Sequence, residues 1–137
     1  MKVVSACLAG VNCRYDGGNS ANEAVVEMVK RGEAVPVCPE QLGGLSTPRE
    51  KREIRQGRVV TVSGKDETEQ MRKGAEEALK VARLVGAKEA VLKSKSPSCG
   101  FGEVYDGSFS GRLVEGNGVA AGLFLKNGIK VVSDKDL

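Results

Sequence analysis

The chain has 137 residues and a formal charge of +3, drawn from 21 basic and 18 acidic side chains dispersed along it, a length that suits one domain with a real core, so that its four cysteines are not needed as staples. Histidine is absent, which excludes Ser-His-Asp and Cys-His catalysis, imidazole-ligated zinc and an imidazole general base. Aromatics make up 4% with no Trp, so there is no stacking platform for single strands, and direct nucleic-acid binding is not expected.

Nowhere does a run of about 18 apolar residues occur, and the apolar start before Ser5 is too brief for a signal peptide. The expectation is a cytoplasmic protein without a membrane span, a compartment in which cysteines point to metal ligation or catalysis ahead of disulfides. The sequence pI near 8.7 tolerates an anionic ligand such as a nucleotide.

In chain order, Lys2 to Ala6 reads as a short strand buried on both faces and ended by the glycine-containing loop that carries Cys7 and Cys13. A helix follows, capped by Asn19 or Ser20 and striped by Ala24, Val25, Met28 and Val29, until Gly32 stops it. Ala34 to Val37 is a second strand, with Pro36 better placed at an edge than in a central ladder. Residues 41–64 read as a loop leading into a β-hairpin that turns at Gln56-Gly57. Asp66 to Gly86 is the strongest helical pattern, with Met71, Ala75, Ala78, Leu79, Ala82 and Val85 three and four apart.

Ala87 to Ser94 supplies a third strand, and a long glycine-rich loop runs from Ser96 to about Gly116. Gly118 to Asn127 reads as a short apolar helix and Ile129 to Val132 as the last strand. Alternating helices and short apolar strands predict an α/β domain spanning residues 1–137. Its sheet is mostly parallel, covered on both faces in the Rossmann-like or flavodoxin-like manner, with the hairpin as an insertion. In such sheets ligands gather beyond the carboxyl ends of the strands, and Cys7, Cys38 and Cys99 all follow predicted strands.

Thiolates without histidine favour zinc or an iron–sulfur cluster over hard cations. Structural zinc knuckles space their cysteines two to four residues apart, whereas five, twenty-four and sixty residues intervene here, a spacing that suits a site assembled by the fold. The plain alternative is four buried or free thiols. Glu40, two residues after Cys38, is a candidate base at the same edge. Ser96 and Ser98 can orient a substrate or pass a proton, or simply form the turn around Pro97. Arg14, Arg49 and Arg52, helped by amides in the Gly17-Gly18 and Gly100 to Gly102 loops, are candidates for contacting phosphate, or belong to a solvated basic face.

Taken together, Cys-Leu-Ala-Gly-Val-Asn-Cys-Arg-Tyr-Asp-Gly (7–17), Cys-Pro-Glu (38–40), Pro-Arg (48–49), Ser-Pro-Ser-Cys-Gly (96–100), Tyr-Asp-Gly-Ser-Phe (105–109) and Gly-Asn-Gly-Val-Ala-Ala (116–121) resemble the domain of unknown function 523 family. Its characterised members are thiouracil desulfidases, and the blocks occur in order over almost the whole chain. The resemblance implies a 4Fe-4S cluster held by three cysteines, with one iron open to the sulfur of a thiocarbonyl. Carried over, the ligands are three of the four cysteines. Cys7, Cys13 and Cys99 are the expected set, with Cys38 beside the cluster as part of the catalytic group.

The matching glutamate is Glu40, as the group that activates water, and the matching serine is Ser96. Arg14, Ser98 and Arg49 are then the expected substrate contacts. The implied activity is non-redox desulfuration of a small thiopyrimidine, 4-thiouracil or its nucleotide, in the recycling of modified RNA. A metal- or sulfide-binding protein without turnover would use the same thiols but have no need of Glu40, and a zinc-containing structural module is the third reading.

Overall fold

A computed structural model describes residues 1–137. Strand β1 (Lys2–Ser5) runs straight into a single 3-10 turn, Ala6–Ala9, which carries Cys7. Val3 and Val4 point to opposite faces of the sheet yet are both fully buried, as a strand covered on two sides requires. Helix α1 (Glu23–Lys30) is capped by Asn22, not by the predicted Asn19 or Ser20. The Asn22 side chain accepts the amides of Ala24 and Val25, while Asn19 is occupied with Asn12 and the Ala21 amide.

Strand β2 (Ala34–Val37) leads directly into a short helix, α2 (Pro39–Leu42), with Cys38 at its N-cap position. The hairpin β3 (Arg52–Arg55) and β4 (Arg58–Thr61) turns at Gln56-Gly57 as predicted. Helix α3 (Thr68–Leu84) precedes β5 (Glu89–Leu92). The predicted loop from Ser96 to Gly116 contains a further antiparallel hairpin, β6 (Glu103–Tyr105) and β7 (Leu113–Glu115), and is followed by α4 (Val119–Lys126) and β8 (Lys130–Ser133).

The main sheet is four-stranded and entirely parallel, in the order β2-β1-β5-β8, so Pro36 does lie on an edge strand. One face packs Val3, Ala90, Leu92 and Val131 against Ala78, Leu79 and Ala82 of α3 and Ala121 and Phe124 of α4. The other packs Val4, Val91 and Ala34 against Val25 of α1 and Leu8 of the 3-10 turn. The expected α/β architecture is therefore present, and no helix is long and apolar enough to cross a membrane.

Helix α2 crosses α3 at a pair of glycines. A Cβ on Gly74 would collide with the Pro39 carbonyl, and one on Gly43 would collide with the Gln70 carbonyl. This close approach of two backbones fixes the segment bearing Cys38 and Glu40 against the longest helix of the protein.

Candidate active site at the carboxyl edge of the sheet

Strands β2, β1 and β5 are consecutive neighbours, and chain order reverses between β1 and β5, the switch point at which open α/β sheets form a crevice. Cys38 lies just beyond β2, Cys7 just beyond β1, and Cys99 in the turn that follows β5. Cys13 comes back in from the first loop. All four sulfurs are free thiols, and all four cysteines line one cavity of about 200 Å³. Its wall also includes the polar side chains singled out in the sequence for this site, Glu40, Ser96, Ser98, Arg14, Arg49 and Arg52, but not the Gly17-Gly18 or Gly100 to Gly102 loops.

Hydrogen bonds made by main-chain groups, two of them to the Ser96 hydroxyl, set the sulfur positions. The Cys7 carbonyl accepts the amides of Gly10 (3.2 Å) and Ser20 (2.9 Å), folding the first loop back over the 3-10 turn, with Gly10 at φ +94°. In the third loop, Ser96 Oγ accepts the amides of Ser98 (3.1 Å) and Cys99 (3.0 Å), and the Gly100 amide donates to the Ser96 carbonyl. That turn is sealed onto α4, where the amides of Gly118, Val119 and Ala120 donate to the carbonyls of Gly100, Pro97 and Ser98. A Cβ at Gly118 would strike the Ser98 carbonyl, so only glycine lets the two backbones meet. Of the loop amides offered in the sequence for phosphate, four are already engaged: Gly17 with Arg14, Gly18 with Asp16, Gly100 with Ser96 and Gly102 with Asn117.

Side-chain contacts set the carboxylate. Glu40 Oε1 accepts from Arg49 Nε at 3.0 Å and stands 3.9 Å from Arg52 Nη1. Arg49, its side chain only 4% exposed, also donates to the carbonyls of Ser46 and Cys13 and to the Thr47 hydroxyl. Four of its five N–H groups are spent inside the protein, so it joins the Glu40 helix to the Cys13 loop and leaves one unused. Arg52 is likewise committed, to Glu67 at 2.7 Å and to the Glu50 carbonyl, instead of standing on a solvated face. Arg14 is freer. It donates to Ser20 Oγ and lies over the Tyr15 ring at the mouth of the cavity.

Without a bound ion, Cys13, Cys38 and Cys99 favour their protonated state. Hydrogen bonding with Cys38 draws the Cys13 thiol down, but the contact with Cys7 and burial outweigh it and push it up to about 11. Hydrogen bonding with Cys13 followed by burial raises Cys38 further still. Burial pushes Cys99 up to about 12, against the opposing contacts of the Ser5 and Ser98 hydroxyls. Ser98 Oγ itself is buried without closing a hydrogen bond by distance and angle, leaving an unsatisfied polar atom at the cavity wall beside Cys99.

This donor set fits a soft metal centre. A polynuclear cluster, in which each iron takes its own thiolate, can draw on the four thiols along this wall. Sequence reasoning did not single out Tyr105, Lys51 or Lys95 for the site, although Tyr105 stood in one of the family blocks; all three line the cavity. Lys51 lies 5.4 Å over the Tyr105 ring, and Lys95 holds a positive φ of 67°, uncommon for a non-glycine residue.

The fold and site define an α/β protein with a thiol-lined crevice at its topological switch point. The chain belongs to the 2-thiouracil desulfurase family, whose model matches residues 3–136. It is similar to the uncharacterized protein YbbK of Bacillus subtilis (strain 168), 43% identical over 147 aligned positions that take in 100% of this chain and 97% of the other. It is similar also to a solved structure described as a 4Fe-4S-dependent thiouracil desulfidase, TudS, with 41% identity and a TM-score of 0.93 over 98% of this chain and 91% of that one. The family resemblance drawn from the sequence motifs therefore stands.

Proposed function

We propose that the protein replaces the thiocarbonyl sulfur of a small thiopyrimidine, 4-thiouracil or its nucleotide, with oxygen from water. A 4Fe-4S cluster held by Cys7, Cys13 and Cys99 would assist. The observation that carries this reading is the convergence of four thiols and an ion-paired glutamate on one cavity, in a chain whose family and near structural relative are both named for thiouracil desulfuration. When bound, the cluster supplies a sulfur-seeking Lewis-acid iron, and the overall exchange of C=S and water for C=O and hydrogen sulfide needs no net electron transfer.

Glu40 takes the proton of the attacking water. Arg49 holds its Oε1, which leaves Oε2 as the oxygen to do so. Ser96 already accepts two amides on Oγ, so its hydroxyl serves as a donor to the substrate and not as a base. Ser98 Oγ, buried and unpartnered, offers a second hydrogen bond at the same wall. Cys38 stays beside the cluster, its sulfur 3.8 Å from the Cys13 carbonyl. Arg14, Lys51 and Lys95 give the cavity a basic lining that suits the phosphate of a nucleotide, and Arg49 contributes its one remaining N–H. The four free thiols accord with a reducing, cytoplasmic setting.

The family is named for the 2-thio isomer and the residue-level resemblance implied the 4-thio isomer, so the test carries both. Anaerobically reconstituted protein is incubated with 2-thiouracil, 4-thiouracil and 4-thiouridine monophosphate, and loss of thiocarbonyl absorbance is matched to sulfide released. Turnover of a 4-thio substrate is the expected result. Turnover of the 2-thio isomer alone overturns the choice of position, and a cluster-loaded sample that leaves all three intact overturns the activity.

A further inference from the structure

The hairpin β3–β4 presents a buried carboxylate that the chemistry above does not use. Glu53 is 1% exposed, and its Oε1 accepts the amides of Gly107 (3.0 Å) and Phe109 (3.1 Å), 54 and 56 residues further along the chain. Its neighbour but one, Arg55, grips the same turn from the surface, donating Nε (3.0 Å) and Nη2 (2.7 Å) to the Gly107 carbonyl. Gly107 sits at φ +93°, where a Cβ would lie 2.7 Å from both Arg55 Cβ and the Ile54 carbonyl. Two side chains of one hairpin thus hold the tip of the other, with the two backbones in close approach. Glu53 Oε2 has no partner, so desolvation of this carboxylate is offset through one oxygen only. A buried acid so placed needs a reason beyond packing.

The held turn begins at Tyr105, the last residue of β6 and part of the cavity wall. The Tyr105 ring is met from the β3 side by the Lys51 ammonium, so the backbone beyond it and the ring itself are both fixed by the same strand region. Adjacent residues of β3 face opposite ways. Arg52 turns toward Glu67 and Glu40, while Glu53 turns toward the 107–109 amides. One strand therefore registers the tyrosine wall against the carboxylate that faces the substrate.

Building on the desulfidase reading, we propose that Glu53, with Arg55, is a positioning residue. By binding the 107–109 turn it holds Tyr105 in the cavity wall and so sets the affinity for the pyrimidine ring. It touches neither the thiols nor Glu40, so its loss separates binding from chemistry.

Cluster-loaded wild type, Glu53→Ala, Glu53→Gln and Arg55→Ala are compared for KM and kcat on the thiopyrimidine that the wild type turns over, and for amide exchange of residues 105–109. In Glu53→Ala the exchange of those amides accelerates and KM rises about tenfold, with kcat within about threefold. Glutamine keeps the accepting oxygen and restores KM to within about twofold. Because Arg55 is exposed, Arg55→Ala folds even if Glu53→Ala does not, and it raises KM about threefold.

An unchanged KM in Arg55→Ala, a Glu53→Ala hairpin as protected as the wild type's, or a Glu53→Gln variant as impaired as Glu53→Ala overturns the proposal. A wild type inactive on every thiopyrimidine defeats the functional reading instead. Even then, the exchange data report independently on whether Glu53 holds the turn.

Discussion

On the sulfur side of the crevice the main chain does the placing, whereas on the carboxylate side the side chains do. Cys7, Cys38 and Cys99 reach the cavity because three adjacent parallel strands end there and short backbone turns hold them. Glu40 depends on Arg49 and Arg52, whose own partners lie in the Cys13 loop and at the start of α3. Backbone placement tolerates surface change and fails only when a donor or a glycine crossing is lost, while side-chain placement fails one ion pair at a time. Damage to the first wall should therefore remove the metal centre, and damage to the second should remove rate while the metal stays.

The largest effect is expected from Cys99→Ser, which leaves the crevice short of a buried thiolate. Iron content and desulfuration fall together to background, while Cys38→Ala keeps its iron by elemental analysis. Next is Glu40→Gln, which keeps the shape and the cluster but loses proton acceptance. Its kcat drops about 10²–10⁴-fold in a steady-state assay, with the visible spectrum unchanged.

Arg49→Ala blurs the two walls, because it strands a nearly buried carboxylate and frees the Cys13 carbonyl. Denaturant unfolding should show a loss of about 3–5 kcal/mol, accompanied by weaker retention of iron.

The smallest effect concerns pH. The ion-free Cys13 and Cys99 thiols titrate at about 11 and about 12 when folded, above their ordinary value of 9.0, so the folded state holds these protons more tightly than the unfolded chain. Their contribution is fully present below about pH 9 and is lost as pH rises through the folded values. Thermal melts of metal-free protein should show the midpoint falling across that window, and a midpoint that climbs there would contradict the burial of these thiols.

The same division explains what could be read from the sequence. Apolar runs such as Val3-Val4 and Ala90-Val91-Leu92 announce buried parallel strands, and a cysteine in the segment after each announces the edge where they meet. The partners of Arg49 and Arg52 could not be read this way. A basic residue paired across fifteen positions with Glu67 looks the same in sequence as one on a solvated face. Hairpin β6–β7 was hidden because its strands are three residues long, flanked by glycine, and bury little beyond Val104. Helix α2 was hidden because four residues carry no period. Glu53 gave no local signal, since its partners lie on a turn more than fifty residues away.

Iron and acid-labile sulfide per chain, measured on the anaerobically reconstituted full chain, address the sulfur wall most directly. A 4Fe-4S cluster held by this wall predicts about four of each, retained through repeated turnover of the thiopyrimidine. One zinc per chain with no labile sulfide would contradict it.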